Sequence, residues 1–96
     1  MASVKNLKKD IEYLVFEVVS DSLTFAGLHP GKGTDELSDI IEEAIQLRND
    51  LYARVNNPEK SDDKAVQKEY FKSIRKDLFT GVDGLFDRLS KVTQAN

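Results

Sequence analysis

The sequence predicts an all-α fold, an antiparallel up-down-up bundle of three helices, and three observations carry that expectation. Apolar residues recur at three- and four-residue steps, the period of one helix face, and no stretch shows the apolar–polar alternation of a half-buried strand. Two groups of turn residues, GLHPGKGT at 27–34 and NNP at 56–58, cut the chain into three helical runs. Both connections are short, so neighbouring helices run antiparallel.

The first helix is expected from about Ser3 to Ala26, with Val4, Leu7, Ile11, Leu14, Val15, Val18 and Phe25 as its inward face. Ser3 can cap its start and Gly27 can stop it. The second is expected from about Asp35 to Asn56. Leu37, Ile40, Ile41, Ala44, Ile45, Leu47, Leu51, Tyr52 and Val55 share its face, with Thr34 or Asp35 as cap. Asp35, Glu36 and Asp39 suit the positive end of its dipole. Pro58 disfavours helix at Asn57.

The third helix is expected to begin near Ser61 or Asp62, with Asp62 and Asp63 in its first turn, and to run on through Ile74, Leu78, Leu85, Leu89 and Val92. Each internal glycine costs about 1 kcal/mol relative to alanine. TGVDG at 80–84 therefore predicts a kink or break near Gly81 and Gly84, or a short fourth helix from Asp83. The apolar spacing survives the glycines, which favours a continuous, kinked helix.

The 96 residues make one domain, 1–96, long enough for a single core. A formal net charge of −3 argues against generic binding to nucleic acid or an anionic membrane. Without cysteine there is no disulfide frame, thiolate nucleophile or cysteine-based metal site. The longest purely apolar run, LVF at 14–16, is far short of a membrane span, and MASVKNLKK lacks the apolar core of a signal peptide. These features predict a cytoplasmic protein.

The segment GLHPGKGT resembles a phosphate-binding loop only at first sight. A Walker-type loop needs Lys directly before Ser or Thr and follows a buried strand. Here Gly33 separates Lys32 from Thr34, the glycine spacing is one residue short, and a helix precedes it. A helix–helix bend explains Pro30, Gly31 and Gly33 better. What remains is a weak anion site at Lys32 and Thr34, opposed by Asp35 and Glu36 directly behind. The lone His29 cannot build a zinc site, so no metal and no cofactor is expected.

Asp39, Glu42, Glu43, Asp62 and Asp63 lie on polar helix faces and form no recognisable catalytic pair. Lys64, Lys68, Lys72 and Lys76 make a basic stripe. With equal antiparallel overlap, Lys72 and Lys76 would pass Glu42 and Glu43. Arg48 is different. It falls inside the apolar face of the second helix, so it requires a partner. Counting back through the 27–34 turn puts Glu12 at its height, with Glu69 as the rival, and predicts a buried ion pair.

The best functional clue is surplus apolar surface. Phe16, Val19 and Leu23 on the first helix, and Phe79, Val82 and Phe86 on the third, lie beside the main seams. Either residues after Gly84 fold back over them, or they form an association surface, most simply a homodimer. No motif ties the chain to a family with a defined activity; in kind it is similar to small bacterial all-helical domains. The sequence thus predicts a non-enzymatic interaction module that self-associates or docks on another protein. The second reading is a binding protein or minor enzyme holding a small anionic ligand near Lys32, Thr34 and Arg48.

Overall fold

In the computed structural model, which describes residues 4–57 and 63–94, the three runs form α1 (Val4–Leu28), α2 (Thr34–Asn56) and α3 (Lys64–Gln94). Cross-helix pairs fix their directions. Glu12 meets Arg48 and Lys8 meets Tyr52, so α2 runs against α1. Arg54 meets Asp77 and Arg88 meets Glu43, so α3 runs against α2. Arg75 meets Asp10, so α3 runs with α1. The result is an up-down-up bundle about 53 Å long and 19 Å wide.

Most of the core comes from the inward faces expected from the periodicity, but Val4 and Ile45, both assigned to those faces, are 42% and 48% exposed. Ile11, Ile40, Leu51, Ile74 and Leu78 are the largest side chains wholly withdrawn from solvent. Buried Ser22 satisfies its hydroxyl by donating to the Val18 carbonyl, 2.8 Å away.

The helix ends correct the sequence reading. Gly27 does not cap α1, which continues to Leu28. Pro30 sets the stop, because proline has no N–H and disfavours helix in the residue before it. The His29 N–H still reaches the Phe25 carbonyl at 2.9 Å, and its ring lies 4.6 Å from that of Phe25. Neither Thr34 nor Asp35 caps α2. Gly33 takes the cap position with φ +58°, and no side chain bonds to the open N–H groups. Gly31, at φ +82°, also adopts the left-handed region that favours glycine.

At its far end, α2 closes when the main-chain and side-chain N–H groups of Asn57 both donate to the Ala53 carbonyl. The cap of α3 is Asp63, whose carboxylate accepts the Ala65 N–H at 2.8 Å. The caps and ends assigned to Ser3, Pro58, Ser61 and Asp62 lie outside the described residues.

Helix α3 is one helix, with no break at Gly81 or Gly84 and no fourth helix at Asp83. The glycines differ in purpose. A Cβ on Gly81 would lie 2.8 Å from Leu47 Cδ2, so this glycine lets α2 and α3 approach closely; a Cβ on Gly84 would meet nothing. The segment after Gly84 does not fold back. It continues the helix and buries Leu85, Leu89 and Val92.

Candidate interaction surface

The expected register between α2 and α3 was wrong by about three turns. Gly81 packs on Leu47, and Glu43 faces Arg88, which also lies 3.8 Å from Glu36. Lys72 and Lys76 therefore do not pass Glu42 and Glu43. The observed register places Gly81 against Leu47 instead of giving the helix ends equal overlap. The Glu43 carboxylate raises the pKa of Arg88.

Glu12 and Arg48 meet across α1 and α2. Arg48 Nε donates to Glu12 Oε1 at 2.6 Å, its Nη2 lies 2.5 Å from the same oxygen, and the Tyr52 hydroxyl donates to it at 2.7 Å. The pair is partly exposed, not buried as expected, because it sits at the outer edge of the seam. The guanidinium covers the Tyr52 ring at 4.3 Å. The Arg48 bond, then the Tyr52 bond, lowers the pKa of Glu12. Burial first, and the Glu12 bond second, raises that of Tyr52. Glu69, the rival partner, is exposed on α3. Tyr52 was the member missed in the sequence; its place four residues after Arg48, on the same side of α2, was the available signal.

Helical spacing places the six surface candidates. Glu12, Phe16, Val19 and Leu23 step by four, three and four residues, so they line the α2 side of α1. Arg75, Phe79, Val82 and Phe86 take the same steps on α3, and the Arg75–Asp10 pair turns that side towards the opposite edge of α1. The six residues therefore occupy two different seams. Val82 is only 4% exposed and belongs to the core. Val19 and Phe86 pack partly buried against it. Phe16, Leu23 and Phe79 are 67%, 58% and 49% exposed.

The α1/α2 seam is the better surface. Opposite Phe16, the antiparallel register sets Ile45, which is 48% exposed although the sequence placed it on the inner face. Going up the seam, Phe16 leads into an open groove of about 1040 Å³ shared with Lys5, Lys8, Lys9, Tyr13 and Tyr52. The Lys8 ammonium lies 5.9 Å from the centre of the Tyr52 ring, and Glu17 raises the pKa of Tyr13 through a hydrogen bond. Going down, Leu23 continues the apolar row.

Lys32 and Thr34 share a small recess of about 260 Å³ at the loop with His29, but Ala26, Leu37 and Ile41 supply much of its wall. Asp35 and Glu36 stand in the adjoining first turn of α2. Arg48 does not join them. Fourteen residues of helix, about 21 Å, separate it from Thr34. Among the described residues, no three His, Asp or Glu side chains are placed to hold a metal, and no helix is long and apolar enough to cross a membrane. Comparison of the chain with known protein families, curated proteins and solved structures finds no match to any of them.

Proposed function

We propose that this chain is a small helical docking module that works by protein–protein contact and associates with itself through the α1/α2 seam. The observation that supports this is the adjacent exposure of Phe16, Leu23 and Ile45 on one side of the bundle. Leaving such side chains wet forgoes about 1.5–3 kcal/mol each relative to full burial. A partner laid on the seam recovers that energy without changing the fold. The seam offers no convergent set of acid, base and nucleophile, so contact fits its chemistry better than catalysis does.

Light scattering on material eluting from a sizing column tests the proposal. The wild type should be dimeric at about 100 μM and dissociate on dilution. Phe16→Glu should be a monomer with unchanged helical circular dichroism. If Phe16→Glu stays dimeric, the seam is not the contact.

A further inference from the structure

We infer that the second copy lies antiparallel on the first, about a two-fold axis near Tyr13 and Phe16, and that charge sets this direction. The inference rests on the seam being the contact and adds how the copies are oriented.

Charge is unevenly distributed along the seam. Its upper end carries Lys5, Lys8 and Lys9; its lower rim carries the exposed carboxylates Asp35 and Glu42. The carboxylates nearest the lysines, Asp10 and Glu12, are already engaged by Arg75 and Arg48. Parallel pairing would stack lysine on lysine and carboxylate on carboxylate. Antiparallel pairing sets the lysines of each copy over the acidic half of the other and stacks Phe16 near the partner's Tyr13.

A second observation points the same way. Helix α1 carries Lys5 and, like α3, no acidic residue in its first turn, which is unfavourable to its dipole; α2 carries Asp35 and Glu36 there, which favour its own. Among the described residues no first-turn carboxylate offsets Lys5, so an outside carboxylate would be welcome at this end. The acidic start of α2 in the second copy supplies it.

Sedimentation equilibrium on the full chain tests the direction, with Lys5→Glu/Lys9→Glu and Asp35→Lys/Glu42→Lys as the two variants. Each alone should weaken pairing roughly tenfold or more, and an equimolar mixture should restore it as a hetero-pair. Raising NaCl from about 50 to about 500 mM should weaken the wild type by roughly tenfold, because these charges are exposed. Circular dichroism establishes that each variant is folded; should Asp35→Lys/Glu42→Lys unfold, the lysine variant and the salt series still decide. A wild type that stays monomeric at about 100 μM overturns the inference. So does a dimer that Phe16→Glu dissociates while both charge variants and salt leave it intact, although the docking reading then stands. A dimer that survives Phe16→Glu defeats both.

Discussion

The two seams that α2 makes are closed in different ways. Against α3, Gly81 removes a side chain so that Leu47 can pack directly on the helix, and the outer edge carries Arg54–Asp77, Arg88–Glu43 and the Tyr70 hydroxyl on the Arg54 carbonyl at 2.7 Å. Against α1, only the upper part has such a polar edge, the cluster of Glu12, Arg48 and Tyr52. Below it, Phe16 and Ile45 stand where the other seam has charged pairs. Surface ion pairs contribute little stability each, typically 0–1 kcal/mol, but they present water with groups that water solvates well. The α2/α3 seam is thus edged with groups that water solvates, and the lower α1/α2 seam leaves apolar side chains in water, as the proposed contact requires.

The largest expected effects test this contrast directly. Leu78 is fully buried beneath the closed seam, and Leu78→Ala should cost about 2–5 kcal/mol in urea unfolding. Phe16→Glu should leave the stability of the monomer within about 0.5 kcal/mol, measured at concentrations too low for pairing. A loss of several kcal/mol for Phe16→Glu would show that the outer row belongs to the core and that the two seams do not differ.

The two glycines of α3 differ in the same way at a smaller scale. Gly81→Val pushes a branched side chain into Leu47 and should destabilise by about 1–3 kcal/mol. Gly84→Ala meets open space in a regular helix and should stabilise by about 0.4–1 kcal/mol. Thermal melts of both variants decide it. Equal signs would mean that close approach of α2 and α3 does not explain the glycine at position 81 within a long helix.

Helix existence and direction were legible because the apolar period is clean and the loops are short. The height of Glu12 beside Arg48 was legible too, since the 27–34 loop is so brief that counting through it leaves little slack. The α2/α3 register was not, because it depends on which residue permits closest approach, and the glycines at 81 and 84 look alike in sequence. Exposure was half legible. Phe16 and Val82 are both apolar and both sit beside a main seam, yet a small rotation of α3 buries Val82 and leaves Phe79 out. Rotation of this kind is set by all three helices packing together, and no single helix's pattern contains it.

The smallest expected effect concerns the one polar cluster on the otherwise open seam. Tyr52→Phe keeps the ring under Arg48 and removes the hydroxyl that donates to Glu12, so it should cost about 0.5–1.5 kcal/mol near neutral pH. The loss should itself depend on pH, and the two shifts fix its sign. Glu12 is lowered from 4.5, so its contribution is complete above that value and disappears as pH falls through the lower folded value. Tyr52 is raised from 10.0, so its contribution is complete below that value and disappears as pH rises towards the higher folded one. Tyr13 is raised as well, but by Glu17, and it is present in both proteins. The difference in urea midpoint between wild type and Tyr52→Phe therefore isolates the cluster. It should be flat from about pH 6 to 9, and shrink below about 4.5 and above about 10. A difference that stays constant to about pH 11 would mean that the hydroxyl does not hold Glu12 in solution. In that case the polar closure of the upper seam rests on Arg48 alone.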